Sequence, residues 1–427
     1  MKTLFLTNEY PPAIYGGAGV HVDYLSRELA KLMEVDVRAF GNQVMDATNL
    51  KVRGFPVDTS KFGCPKNLQS IFGAVRRCLD FNAAGIDADV VHCHTWYTHL
   101  GGILAKLNYG IPLVITIHSL EPLRPWKREQ LGRGYDCSGW VERTAIEMAD
   151  AVVAVSQGTK EDVLRLFNVP EDRIHIIYNG IDPDEYRPIE ATDQLPKYGI
   201  DPEKPFVLFV GRIARQKGII HLVDAIEYME PGFQVVLCAG AADTPEIAAE
   251  MKADVERVRA KRQDVIWIDE MVSKNVVYQL YSHAGVFCCP SIYEPFGIIN
   301  LEAMACETPV VGSAVGGIKE VIVDGETGFL VPLEQHTESP FEALNPDKFA
   351  RALAEKINVL MRDPELRKRF GQAGRKRAVE KFSWHAIALA TKKMYAELIT
   401  RWRAGSEPAV LQLWRLDLIS MLCRWSV

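Results

Sequence analysis

Short apolar runs alternate with helix-like periodicity along almost the whole chain. Runs at 4–7, 35–40, 90–94, 113–118, 151–156 and 174–178 are bounded by turn residues and predict strands. A second series begins at Phe206 and continues at 235–239, 265–268, 286–289, 310–312 and 329–331. Apolar runs of this kind, separated by helical segments, are the pattern of parallel sheets covered on both faces. The first run is too short for a secretory leader, so it predicts a first buried strand.

Between the two series, 182–205 is rich in Pro, Asp and Glu and lacks a long apolar period, which predicts a linker at 186–205. The chain then divides into an N-terminal domain at 1–185 and a C-terminal domain at 206–381. Both are α/β and Rossmann-like, with parallel sheets facing a central cleft. A length of 427 residues is enough for two full cores. Acidic residues number 55 against 49 basic ones, a balance that leaves no electrostatic footprint for nucleic acid. Nine cysteines recur at no fixed spacing, and Cys288-Cys289 lies in an apolar run, so they read as reduced, buried thiols of a cytoplasmic protein. No stretch is long and apolar enough to predict a membrane span.

The chemistry concentrates in two segments of the second domain. In the first, Glu294-Pro295-Phe296-Gly297-Ile298-Ile299-Asn300-Leu301-Glu302, Pro295 disfavours helix at Glu294 and Gly297 relieves a turn. Glu294 is therefore expected at a helix mouth and Glu302 about two turns inside. Backbone N–H groups near Gly297, Ile298 and Ile299 have no partner four residues back, and with the helix dipole they make an anion site suited to a diphosphate. In the second segment the apolar run at 206–210 leads straight into Gly211, Arg212 and Lys217. These cations stand at the carboxyl end of a buried strand, where open α/β sheets bind ligands. Arg212 can grip phosphate oxygens as a fork and Lys217 as a point charge.

The pairing of Gly-Arg-x-x-x-Gln-Lys-Gly at 211–218 with Glu-Pro-Phe-Gly-x-x-x-x-Glu at 294–302 resembles the family-4 retaining glycosyltransferases of the GT-B fold. Three N-terminal motifs narrow the likeness. Tyr10-Pro-Pro-Ala-Ile-Tyr-Gly-Gly-Ala-Gly-Val-His21, His94-Thr-Trp-Tyr-Thr98 and the segment 118–132 resemble the actinobacterial-type glycogen synthases, some of which are α-maltose-1-phosphate synthases. The resemblance runs from Met1 to about Ile399. It implies a retaining glucosyltransferase that forms an α-1,4 bond from a nucleotide-sugar donor, ADP-glucose, without a cofactor. The acceptor is glucose 1-phosphate or an α-glucan such as glycogen. The larger glycogen and starch synthases carry Lys where this chain has Ile14, which leaves the nucleotide base open.

The resemblance also implies roles for residues. His118, Arg212, Lys217 and Glu294 are expected at the reaction centre, with His118 at the primary hydroxyl of the donor sugar. Donor contacts are expected from Gly16, Gly17, Gly297, Ile298, Ile299 and Glu302, with Glu302 at the ribose. Gly16 and Gly17 let the backbone approach a phosphate closely, although Gly-x-Gly-x-x-Gly is absent and no dinucleotide fingerprint is present. The motif at 313–317 adds a further strand end with backbone donors. Retention usually goes with a carboxylate nucleophile. Here the resemblance implies attack by the acceptor from the side the diphosphate leaves, with the leaving phosphate as base.

On the acceptor side, Arg124, Trp126, Lys127 and Arg128 place three cations around a ring that can stack on a pyranose, fitting a phosphorylated sugar. A solvated charged face is the other reading of the run. His94 is either an acceptor contact or a core histidine, and His92 and His99 are core or surface. No carboxylate or cysteine completes a metal set around His92, His94 and His99 apart from Cys93, which points to the opposite strand face, so no metal is expected.

Helical periodicity at 386–402 and the resemblance together imply that 382–403 crosses back to brace the first domain. Over 404–427, Leu411, Trp414, Leu418, Met421 and Trp425 recur at three- and four-residue steps and predict an amphipathic helix. Its apolar face packs on its own chain or meets a partner or membrane surface, and Arg415, Asp417 and Arg424 exclude a span. A nucleotide-sugar 2-epimerase of the same fold would not need the acceptor-side segment, and a non-enzymatic sensor would not need the acid and base set. A homodimer is left open.

Overall fold

The computed structural model describes residues 1–405 apart from Tyr15, Ala241 and Ser339. The expected amphipathic tail lies, from 406 onward, outside the described residues. Strands β1 (Lys2–Thr7), β2 (Glu34–Phe40), β3 (Val44–Ala47), β4 (Leu50–Phe55), β5 (Val90–His94), β6 (Leu113–Ile117), β7 (Ala151–Ala154) and β8 (Ile174–Ile176) form one sheet. Their order is β3-β4-β2-β1-β5-β6-β7-β8. In β1, Leu4 and Leu6 enter one core while Phe5 enters the other, so the strand is apolar at consecutive positions because both faces are covered.

The sequence reading misses β3 and β4. They pair antiparallel at the edge of the otherwise parallel sheet. β3 is exposed throughout, and β4 buries only Leu50 and Val52 while Lys51 and Arg53 face solvent. That alternation is the signal a half-covered strand gives, and a search for continuous apolar runs passes over it. Asn49, at φ +59°, turns the hairpin.

Strands β9 (Phe206–Val210), β10 (Gln234–Cys238), β11 (Val265–Ile268), β12 (Val286–Cys289), β13 (Val310–Ser313) and β14 (Gly328–Val331) form the second sheet, parallel throughout, in the order β11-β10-β9-β12-β13-β14. Within 186–205, read above as a linker, Tyr186, Leu195 and Ile200 are buried in the core of this sheet. Isolated apolar residues without a period anchor that stretch.

The helix Trp384–Arg403 begins at Ser383, whose hydroxyl accepts from the Ala386 N–H. It returns to the first sheet and buries Trp384, Ile387, Met394, Tyr395, Leu398 and Ile399 in the core of β1 and β2. Each such side chain contributes about 1.5–3 kcal/mol, so burial holds the crossover in place. In both sheets the strand order reverses at the first strand, between β1 and β5 and between β9 and β12. Ligands of open α/β sheets bind outside the carboxyl ends at such a reversal. There the helix start after β1 approaches Ile298 after β12, and the segment after β6 reaches Asp243 after β10.

Candidate active site

On the second sheet's side, Gly297 takes φ +94° and starts the helix Ile298–Ala305, so Glu294 stands outside it and Glu302 within. Lys217, in the turn after β9, places Nζ 2.6 Å from Glu294 Oε2, and the Ser291 hydroxyl lies 3.3 Å from the same oxygen. Arg212 pairs with Asp243. The two expected phosphate cations are thus held by carboxylates at the strand end. The Gly316-Gly317 turn has another task than the one expected: the Gly317 N–H donates to the Glu294 carbonyl at 3.0 Å. Gly316, at φ +46°, sits so close to that carbonyl that no Cβ fits. The turn therefore builds the glutamate corner. Glu302 is nearly buried, accepts from the Tyr281 hydroxyl at 2.9 Å, and has its carboxyl raised above the usual range by burial.

On the first sheet's side, His118 follows β6 directly and is partly exposed, with Nε2 3.1 Å from His94 Nδ1. His94, expected on the acceptor side, is fully buried at the end of β5. It stands behind His118 and orients it, because the end of a central strand is covered by its neighbours. The sequence reading gave no role to His21, whose ring lies 4.8 Å from that of His118 and whose Nδ1 meets Asn179 Oδ1 at 2.6 Å. Its signal was the Gly17–His21 spacing, one helical turn along a helix that opens on the cleft. Burial lowers the His21 pKa to about 4, and burial with neighbouring imidazoles lowers those of His94 and His118 well below the usual value, so all three are neutral near pH 7.

Gly16 and Gly17 sit at the start of the helix Gly17–Ala30. The Gly16 N–H, expected to face phosphate, donates to Glu9 Oε2 at 2.8 Å, so a side-chain carboxylate occupies that donor. Gly17 faces the other half across the cleft: a Cβ there would meet Ile298 Cδ1 at 3.6 Å.

The acceptor-side cations separate. The Arg124 guanidinium bonds the Ser119 hydroxyl at 2.7 Å and faces Glu121 at 3.7 Å, while its buried Nε has no partner among the described residues. Lys127 is lowered to about 8 by burial and then by Arg124, with Arg212 also acting from across the cleft. Trp126 is partly exposed, directly before the short helix Lys127–Leu131. Arg128, expected beside them, is exposed and paired with Asp136 at 2.5 Å. Neighbouring helical residues point about 100° apart, so when Lys127 faces the cleft Arg128 does not.

Further contacts join the halves. The Gln130 amide donates to the Asp243 carbonyl at 3.3 Å. The Ser156 hydroxyl, fully buried, donates to the Pro295 carbonyl at 2.7 Å, and Glu320 accepts from the Gln157 N–H at 3.0 Å at the start of the helix Gln157–Leu166. Ser156, Gln157 and Glu320 were not singled out in the sequence, since a lone Ser before a helix reads only as its cap.

The two facing parallel-sheet domains, with a cation-flanked helix start on one side and histidines and cations on the other, define a glycosyltransferase of the GT-B fold. Residues 15–185 match the family described as Glycosyltransferase Family 4, and residues 190–377 that described as Glycosyl transferases group 1. The chain is 46% identical over 406 residues to the α-maltose-1-phosphate synthase of Mycolicibacterium smegmatis, covering 93% of this chain and 100% of that one. It is 45% identical over 402 residues to the α-maltose-1-phosphate synthase of Mycobacterium tuberculosis, with the same coverage. A solved sucrose-phosphate synthase from Thermosynechococcus elongatus superposes with a TM-score of 0.76 at 24% identity, covering 94% of this chain and 100% of that one, a likeness of fold. The chain belongs to the family-4 GT-B glycosyltransferases and is a hexosyltransferase. Among the described residues no helix is long and apolar enough to cross a membrane.

Proposed function

We propose that this enzyme transfers glucose from ADP-glucose to glucose 1-phosphate, forming an α-1,4 bond with retention and releasing ADP and maltose 1-phosphate. The observation that carries the acceptor is the placement of Arg124 and Lys127 opposite Arg212. Burial, and then the neighbouring cations, lower the Lys127 pKa to about 8. A phosphate dianion neutralises such a cluster through charge-assisted hydrogen bonds, whereas a neutral glucan gains little from it. The names of the two mycobacterial relatives support the same product.

In this reading Arg212, Lys217 and the N–H groups of Gly297, Ile298 and Ile299 hold the diphosphate. As the bond from the anomeric carbon to the diphosphate breaks, charge gathers on the departing phosphate, and these groups stabilise it. The acceptor hydroxyl attacks from the same side, and its proton passes to the departing phosphate oxygen. Glu294, anchored by Ser291, holds donor hydroxyls as Lys217 turns toward phosphate. Neutral His118, backed by His94, meets the primary hydroxyl, Glu302 the ribose, and Trp126 the acceptor ring. The test supplies ADP-, UDP- and GDP-glucose with glucose 1-phosphate or glycogen and identifies products by mass. Maltose 1-phosphate from ADP-glucose is expected; lengthened glucan alone would replace this reading with a polymer synthase.

A further inference from the structure

His21, His94 and His118 come from three separate elements: the helix Gly17–Ala30, the end of β5 and the loop after β6. Each offers a ring nitrogen, and the three nitrogens lie within 4.8 Å of one another. His94 Nδ1 and His118 Nε2, at 3.1 Å, are already near the spacing that two ligands of one tetrahedral ion adopt. His21 is 1% exposed and its Nδ1 faces the Asn179 side-chain oxygen. An amide oxygen only accepts, so Nδ1 carries the hydrogen and Nε2 keeps a bare lone pair. That Nε2 has no hydrogen-bond partner among the described residues. A metal-bound histidine is oriented in the same way, with its second nitrogen donating to an oxygen that fixes the tautomer.

We propose that His21, His94 and His118 bind one borderline divalent transition ion, with Zn2+ as the reference, and that the bound ion blocks the cleft and inhibits the enzyme. Three neutral imidazoles without a carboxylate or thiolate suit Zn2+, Cu2+ or Ni2+ and discriminate against the oxygen-seeking Mg2+ and Ca2+. One of the two nitrogens His94 Nδ1 and His118 Nε2 carries the hydrogen of their contact, and that hydrogen must move to the other nitrogen of its ring before both can bind the ion. Zinc–nitrogen bonds of about 2.0–2.1 Å require the set to contract, and His118 is its partly exposed member. Inhibition rests on the reading of His118 as a donor contact; binding of the ion does not.

The test uses the full chain, stripped of metal by a chelator and titrated with Zn2+ against a chromophoric competitor. One site per chain is expected. Co2+ in its place should give a visible absorption band of a low-coordinate nitrogen site, and millimolar Mg2+ or Ca2+ should not compete. His21→Gln and His118→Gln should each weaken Zn2+ at least about tenfold. Asn179→Ala, which removes the orienting amide but none of the three rings, should weaken it by about 10- to 100-fold. Should His21→Gln fail to fold by circular dichroism, His118→Gln and Asn179→Ala decide. Absence of a stoichiometric site, or affinity unchanged in these variants, overturns the site. Zn2+ should also inhibit transfer with the same midpoint, reversed by chelator. Binding without inhibition overturns the blocking role and points to a fault in the reading of His118.

Discussion

Lys217 and Glu294 show why a residue at this site has two separable tasks. Their pair and the Arg212–Asp243 pair each neutralise a carboxylate that is nearly buried. Lys217→Ala and Arg212→Ala are each expected to lower turnover by about two to three orders of magnitude, the loss typical of a missing charge-stabilising donor. Each also leaves a carboxylate short of its partner, so a lower melting temperature is expected. Adding Asp243→Asn to Arg212→Ala should restore stability and leave turnover low. Recovery of turnover in that double variant would assign Arg212 a structural role only. At Lys127 the sign follows from its pKa near 8 in the free enzyme. A bound phosphate raises that pKa, so binding favours the protonated lysine. The KM for glucose 1-phosphate should be lowest between about pH 6, where the phosphate becomes a dianion, and pH 8, and should rise above pH 8. Lys127→Gln should remove the upper limb of that profile, and a profile unchanged by it would contradict the assignment. The sequence showed Lys127 and Arg128 as one run of charge. Only the helical rotation between them shows that Lys127 faces Arg212 while Arg128 turns to Asp136.

Among elements, the strands after Phe206 were legible as continuous apolar runs because both faces of that sheet are covered. The β3–β4 hairpin was not, since its apolar residues alternate with charged ones at an exposed edge. The glutamate corner was readable from Pro295 and Gly297, but its supports were not. Gly316, Gly317 and Ser156 reach the carbonyls of Glu294 and Pro295 from other elements, and no local spacing encodes that meeting. The crossover helix offers a sharper test. Trp384 packs against Gly180 and stacks on Tyr24, with ring centroids 5.6 Å apart. Trp384→Ala is expected to destabilise the fold by about 3–5 kcal/mol, read by urea unfolding. A loss below about 1 kcal/mol would mean that the helix does not brace the first sheet, given the usual cost of such a deletion.

At the scale of the whole molecule, Gly17, His118 and Lys127 belong to one half and Ile298, Glu294 and Arg212 to the other, so the site is complete only when the halves meet. Ser156–Pro295 and Gln130–Asp243 are bonds of that meeting. Small-angle scattering is expected to show a smaller radius of gyration at saturating ADP-glucose than in its absence. A radius unchanged from an open starting state would contradict closure. If cations and a helix start stabilise the leaving diphosphate, as proposed, a chelator should leave activity intact, and strict dependence on added magnesium would contradict that part. The central claim is that a phosphate-bearing acceptor meets the cations of the first half as the donor's diphosphate meets those of the second. Its most direct measurement is kcat/KM for glucose 1-phosphate and for glycogen, in the wild type and in Arg124→Ala/Lys127→Ala. The account predicts preference for glucose 1-phosphate in the wild type and a selective loss of that constant, by at least about tenfold, in the variant. Preference for glycogen with both constants unchanged by the substitutions would contradict it.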